Sequence, residues 1–123
     1  MGGLVIPANA AYSGPELRYQ LVDAKPKALF TSVPLLPTVL EAAKLANFPE
    51  SRIYLLDVLP PQMLEGQPPT NKYKTLSQIE QAGRSLPPLE KLSWPAGEAA
   101  RRTAFLCYSS GTSGLPVCFN LLK

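Results

Sequence analysis

The residues best suited to chemistry lie in one hydroxyl- and glycine-rich run near the end of the sequence. The run consists of Ser109, Ser110, Gly111, Thr112, Ser113 and Gly114. The apolar segment 104–108 precedes it, which predicts a strand that opens into a loop. Glycines let backbone N–H groups approach an anion, successive amides form a concave nest, and hydroxyls add adjustable donors. The pattern therefore favours binding of a polyphosphate such as that of ATP.

Two better-known phosphate loops do not match this run. The Walker loop needs a Gly-Lys-Ser/Thr step that leads into a helix, and the dinucleotide fingerprint needs Gly-x-Gly-x-x-Gly. Neither pattern occurs anywhere in the 123 residues. On spacing alone, an ordinary surface turn rich in serine and glycine remains an open alternative.

The segment 106–116, LCYSSGTSGLP, resembles the phosphate-loop signature of the adenylate-forming (AMP-binding) enzymes, which include acyl- and aryl-CoA ligases. Upstream, the segment 6–13 followed by Glu16-Leu17 is similar to the family's Ala-Asn-Pro-x-Tyr-Thr segment before a helix. The strand at 28–31, the helix around 36–46 and the apolar run at 53–57 follow in the order typical of 4-coumarate-CoA-ligase-like members, including fungal ones. The resemblance covers residues 3–116.

The resemblance implies both a reaction and a role for residues 109–114. In the intact family a carboxylate attacks the α-phosphate of Mg-ATP to give an acyl-adenylate, and coenzyme A then displaces AMP. The run at 109–114 would hold the β- and γ-phosphates, which is a positioning role. No catalytic residue and no metal ligand of this chain is assigned by the resemblance.

One departure from the family pattern affects the same loop. The family normally has a lysine after Gly-Leu-Pro, whereas this sequence has Val117. A lysine there would add a charge-assisted contact worth about 1.5–3 kcal/mol. Lys123 lies six residues further on, and nothing in the sequence makes it a substitute. We therefore divide the chain into a partial AMP-binding domain, 1–116, and a non-family tail, 117–123.

These observations predict a truncated portion of an acyl- or aryl-CoA ligase that carries the ATP-phosphate loop and is inactive by itself. ATP and Mg, with CoA as co-substrate, belong to the parent enzyme. Two alternatives stay open. The chain would be a weak nucleotide- or phosphate-binding module, or a truncated product that associates with itself, with a partner or with the full-length ligase.

Composition excludes several other classes. The net charge of +3 comes without a basic run or aromatic interleaving, so no nucleic-acid partner is predicted. Apolar stretches are far shorter than the ~20 residues of a bilayer helix, so no membrane segment is predicted. With two cysteines and no histidine, a cytoplasmic protein without a histidine-based triad or metal site is expected. A peroxisomal location stays open for the parent enzyme.

Hydrophobic periodicity predicts an α/β fold with an open, mostly parallel sheet and flanking helices. The resemblance makes this part of the large N-terminal domain of an adenylate-forming enzyme. Helices are predicted from Ser13 to Ala24, with Gln20 facing water, around 36–46, and within 75–83 behind a Ser77–Glu80 capping box. The run 53–56 predicts a central strand covered on both faces. A loop is expected at 58–74, and Cys107 is expected to be buried.

Overall fold

The computed structural model describes residues 3–56, 70–110 and 116–122. The chain forms two compact units. We call Ala10–Pro87 the helical unit, and Met1–Asn9 together with Pro88–Lys123 the hairpin unit.

Helix α1, Gly14–Ala24, begins and ends as its sequence predicts. The backbone N–H and hydroxyl of Ser13 both donate to the Glu16 carboxylate, at 2.8 and 2.6 Å, in a capping-box arrangement. Lys25 ends the helix in a left-handed conformation, with φ 46°. The prediction that Gln20 faces water was wrong, because its side chain is buried beside Leu21.

Helix α2, Leu36–Ala46, follows a 3-10 turn at Val33–Leu35. The apolar positions of α2 recur at helical spacing and form a buried stripe, as the periodicity predicts. Asn47 ends the helix with φ 53°, a conformation that asparagine tolerates better than most residues. These local signals fix the length of the helix before any tertiary contact is considered.

Helices α1 and α2 pack closely against each other. Gly14 lies against the Glu41 side chain, so that a Cβ at position 14 would meet the Glu41 carboxyl carbon. One turn further along both helices, the Arg18 Nε donates to the Leu45 carbonyl at 3.2 Å. In each helix, the residue of the second contact lies four positions after the residue of the first. The two helices therefore run roughly parallel.

A parallel sheet lies against these helices. Its strands are β1 (Leu29–Thr31), β2 (Ile53–Leu55) and β3 (Lys74–Thr75), in the order β1-β2-β3. Both pairings are parallel, which confirms the predicted fold class. The core joins β2 to both helices, and its buried residues are Leu17, Leu21, Val33, Leu36, Val39, Ala42, Ala43, Ile53, Leu55 and Tyr73.

The expectation that β2 is covered on both faces was wrong among the described residues. Ile53 and Leu55 are 2% exposed and belong to the core. Tyr54, which points to the other face because strand side chains alternate, is only half-buried. The Phe30 ring stacks on Tyr54, with centroids 5.3 Å apart, and Phe30 remains 49% exposed.

Strand β3 and helix α3 correct two further predictions. Lys74 was expected to end the loop at 58–74, and Thr75 was expected to lie at the start of the segment that holds a helix. The two residues instead form β3, which pairs with β2. Helix α3 spans Leu76–Arg84, and its capping box uses Thr75 and Gln78 rather than Ser77 and Glu80. The Gln78 N–H donates to the Thr75 hydroxyl at 3.3 Å, and the Thr75 N–H donates to the Gln78 side chain at 3.0 Å.

The hairpin unit is built on two antiparallel strands, β4 (Thr103–Ser110) and β5 (Pro116–Leu122). Val5 makes a parallel bridge to Phe105. A loop precedes β4, and its Trp94 ring lies 5.4 Å from the Arg102 guanidinium carbon. Within this unit, a cation–π contact therefore holds the loop to the start of β4.

Candidate functional site

The described backbone around the predicted phosphate loop is an antiparallel hairpin. Its register pairs Ser109 with Val117 and Ser110 with Pro116. The connection between the paired ends is residues 111–115, so Gly111, Thr112, Ser113 and Gly114 lie outside the described residues. Antiparallel strands accept such a short connection, whereas parallel strands need a crossover of a dozen residues or more.

The structure corrects two predictions about this loop. They concern the residue at which the loop begins and the parallel pairing of the strand before it. Ser109 and Ser110 were predicted to be loop residues at the end of a strand in a parallel sheet. Both instead belong to β4, because the antiparallel partner β5 continues the ladder of hydrogen bonds to Ser110. Their backbone groups at the strand end therefore border the glycine-rich connection without belonging to it.

The tail that follows Pro116 supplies the partner strand. Leu122 pairs with Thr103, at the end of the hairpin opposite to Ser110. Because β5 has seven residues, its two ends are about 20 Å apart. Lys123 lies outside the described residues, but its neighbour Leu122 is at the end away from the loop. That Lys123 does not replace the missing lysine stays a prediction.

The described cations of the hairpin unit also lie far from Ser110 along the chain. They are Lys91, Arg101 and Arg102, all of which precede β4. Arg102 Nε forms an ion pair with the Glu98 carboxylate at 2.9 Å. Neither β4 nor β5 itself contains a cationic residue.

A second polar cluster lies in the helical unit and was missed by the sequence analysis. Lys72 Nζ donates to the Glu50 carboxylate, which also accepts a hydrogen bond from the Tyr73 hydroxyl at 3.3 Å. The bond from Lys72 lowers the pKa of Glu50 below its ordinary value. Burial of the Tyr73 side chain raises the pKa of its hydroxyl above the ordinary value. The residues are too far apart in sequence for a local spacing rule to pair them.

The Glu50 cluster supports structure, since it joins two chain segments that lead into neighbouring strands. Glu50 belongs to the 3-10 turn Glu50–Arg52 directly before β2, and Tyr73 directly precedes β3. Tyr73 is also a member of the buried core. The cluster therefore links the segments that precede β2 and β3.

Within residues 3–56, 70–110 and 116–122, His, Cys, Asp and Glu do not gather in groups of three or more. None of the helices there has the length and apolar character needed to cross a bilayer.

Cys107 is a free thiol and only half-buried, which corrects the expectation that it is buried.

Solved structures with a similar fold include a luciferase and a luciferase-like enzyme. A red-emitting luciferase from Phrixothrix hirtus matches 98% of this chain and 27% of its own, with a TM-score of 0.68 and 22% identity. A luciferase-like enzyme from the mealworm Zophobas morio gives a TM-score of 0.66 with 20% identity, over 98% of this chain and 25% of its own. At these identities the likeness concerns the fold.

Sequence relatives are fungal acyl-CoA ligases. The acyl-CoA ligase cm3C of Cordyceps militaris is 36% identical over 116 residues, which are 93% of this chain and 18% of the ligase. The acyl-CoA ligase frbB of a Dothideomycetidae species is 35% identical over 114 residues, 93% of this chain and 20% of the ligase. The chain thus spans about one fifth of the length of these relatives. The model of the family described as AMP-binding enzyme matches residues 1–117, and the chain therefore belongs to the AMP-binding enzyme family.

Proposed function

We propose that this chain supplies the ATP-phosphate-binding loop of an acyl- or aryl-CoA ligase. The observation that carries the proposal is the hairpin register, which ends at the Ser110–Pro116 pair and leaves a five-residue connection rich in glycine and hydroxyls. Two glycines in so short a connection favour backbone amides that converge on an anion. Membership of the AMP-binding enzyme family adds support, because its ligases use ATP.

In the parent reaction, a substrate carboxylate attacks the α-phosphate of Mg-ATP. The new bond joins the carboxylate oxygen to phosphorus, and pyrophosphate leaves with the electrons of the broken phosphoanhydride bond. The thiol of coenzyme A then attacks the acyl carbon and displaces AMP. Mg enters with ATP as part of the substrate. The residues of this chain, Ser109 to Gly114, would donate to the β- and γ-phosphates while negative charge moves onto pyrophosphate.

The missing lysine weakens this binding in our proposal. The register puts Val117 opposite Ser109, next to the connection where the family has a cation. Without a charge-assisted contact, neutral donors must hold a highly charged ligand, and each contributes only about 0.5–1.5 kcal/mol. We therefore expect weak binding of ATP or tripolyphosphate by the 123-residue chain. Such binding is also what the alternative of a phosphate-binding module predicts.

We further propose that the 123-residue chain alone does not complete the ligase reaction. It spans about one fifth of its relatives, and the sequence has no histidine to serve as a general base of the usual kind.

Two cysteines without a metal-binding pattern fit a reducing compartment, so we assign the chain to the cytoplasm.

Calorimetric titration with tripolyphosphate and with Mg-ATP tests the phosphate site. The wild-type chain should bind both ligands, and Gly111→Val should abolish binding because a branched side chain would block the approach of backbone amides. Ser85→Ala, a hydroxyl deletion in the helical unit, is the matched control and should bind like the wild type. Equal binding by the wild type and Gly111→Val would contradict the proposal.

Ligase turnover is tested separately with ATP, CoA and a panel of aromatic and fatty acids. We expect no acyl-CoA from the 123-residue chain. Acyl-CoA produced by the wild type above the level of Gly111→Val would overturn the proposal that the chain is inactive alone, while supporting the assignment of the loop.

A further inference from the structure

The N-terminal segment of the hairpin unit is bonded to β4 through its backbone. The Val5 N–H donates to the Ala104 carbonyl at 3.0 Å, and the Leu106 N–H donates to the Val5 carbonyl at 3.0 Å. These two bonds form the parallel bridge between Val5 and Phe105. Because Val5 is 52% exposed, its contribution to β4 is mainly that of its backbone.

This bridge lies where the pairing of β4 with β5 is irregular. Between Thr103 and Phe105, β4 has one residue more than β5, and that residue is Ala104. The extra residue of a β-bulge is left unpaired by the opposite strand. Ala104 is buried, and a buried carbonyl without a partner destabilises the fold. The Val5 N–H supplies that partner from the other edge of β4.

The position of the bulge determines the register of the rest of the hairpin. Beyond the extra residue, the pairs continue without a further shift to Ser110 opposite Pro116. Without the extra residue, Pro116 would pair with Ser109, and the connection would be residues 110–115 in place of 111–115. A slip by one residue also turns every side chain of the strand to the other face. The length of the candidate phosphate loop therefore depends on a bulge at the far end of β4.

We propose that Val5 is a positioning residue for the phosphate loop, because its backbone holds the bulge at Ala104. This inference rests on the function proposed for residues 109–114 and adds a distant residue to it. With the Val5 bonds in place, the Ala104 carbonyl is satisfied outside the β4–β5 ladder, and the loop closes at Ser110 and Pro116. Without those bonds, the buried carbonyl favours a register in which β5 pairs with it. The loop then has another length, and its amides no longer converge on the same anion.

The two cysteines can report which register is present. In the structure, Cys107 pairs with Phe119, and Cys118 pairs with Tyr108. The alternative register would pair Cys107 directly with Cys118. Directly opposed residues have Cα atoms about 4.5–5.5 Å apart, which a disulfide can span, whereas residues offset by one position project to opposite faces. A disulfide between the two cysteines should therefore form in the alternative register only.

Oxidation with oxidised glutathione tests the effect of Val5 on the register. Val5→Pro removes the N–H that Ala104 needs, and should form the Cys107–Cys118 disulfide about tenfold faster than the wild type. Val5→Ala keeps the N–H, and Gly3→Pro places a proline where nothing lies within 4 Å of a Cβ, so both should behave like the wild type. Peptide mapping by mass spectrometry measures the disulfide. If Val5→Pro forms it no faster than Gly3→Pro, the proposal is overturned.

Titration with tripolyphosphate under reducing conditions tests the consequence for the loop. Val5→Pro should bind about tenfold more weakly than the wild type, while Val5→Ala and Gly3→Pro should bind equally well. Deletion of Ala104 removes the bulge and keeps the connection at 111–115, so adding Val5→Pro to this deletion should cause no further loss. A loss that persists in the deletion background would indicate general damage to the fold and overturn the proposal. If the wild type binds no tripolyphosphate, the proposed function fails and this inference with it, whereas full binding by Val5→Pro overturns this inference alone.

Discussion

The helical unit and the hairpin unit differ in how many apolar side chains their described residues bury. In the helical unit, two amphipathic helices bury one face of a parallel sheet in a contiguous apolar core. In the hairpin unit, Ala104 is the buried apolar residue among the described side chains, while Leu89 and Leu92 are exposed. The phosphate loop is proposed for the unit with the smaller described core. We therefore expect substitutions in the helical core to change stability without altering the proposed phosphate binding, and substitutions in the connection at 111–115 to do the reverse.

The largest expected effect concerns the core of the helical unit. Leu36 is fully buried, and Leu36→Ala should lower the free energy of unfolding by about 2–5 kcal/mol, through lost burial and the cavity that remains. Leu89→Ala changes the same side chain at a position 79% exposed, and should change stability by less than about 0.5 kcal/mol. Urea unfolding followed by circular dichroism measures both. Equal losses would contradict the contrast between the units.

The second effect concerns ligand binding in the hairpin unit. Val117→Lys introduces a cation opposite Ser109 and should raise the affinity for tripolyphosphate by tens of fold, equivalent to about 1.5–3 kcal/mol. Asn120→Lys adds the same charge opposite Leu106, further along the strand from the loop. Calorimetry should show a much smaller gain for this control. Similar gains at both positions would indicate general charge attraction instead of a localised site.

Sequence reasoning predicted the elements whose signals are local. The helix that begins after Ser13 and the helix around 36–46 were predicted from residues within a few positions of one another, and both form. Such signals favour a local structure without any contribution from residues distant in the sequence. The parallel order of the strands was predicted for the same reason, since strands separated by helices favour parallel pairing.

The features that sequence reasoning missed depend on distant partners. Gln20 is buried although it is polar, and no pattern within α1 indicates this. Strand β3 has two residues and exists through its pairing with β2. Ser110 continues β4 because β5 pairs with it. At the candidate site, phosphate binding stays a prediction, and the hairpin that borders the loop was not predicted from the sequence.

A smaller effect is expected at the edge of the helical unit, where α3 contributes no buried residue. Thr75→Ala removes the hydroxyl that caps α3 and should lower stability by about 1 kcal/mol. Thr75→Ser keeps the hydroxyl and should retain most of that stability. Thermal unfolding of the three proteins measures the difference. If Thr75→Ala and Thr75→Ser are equally unstable, the loss comes from packing and not from the cap.

The smallest effect is a pH dependence confined to the helical unit. The hydrogen bond from Lys72 lowers the pKa of Glu50 below 4.5, its ordinary value and the one expected in the unfolded chain. The associated stability is therefore present above pH 4.5 and is lost as the pH falls through the lowered pKa. Glu50→Gln and Lys72→Met should both flatten the decline in urea stability below that pH. An unchanged decline in both variants would contradict a role for this pair.

The most direct test of the central claim is an NMR titration of the 123-residue chain with tripolyphosphate, read at individual backbone amides. If the hairpin connection binds phosphate, the amide resonances of Gly111, Thr112 and Gly114 should shift and saturate, while that of Leu55 in the helical core stays in place. Shifts that appear only at Arg101 and Arg102, with none in the connection, would contradict the assignment of the phosphate site.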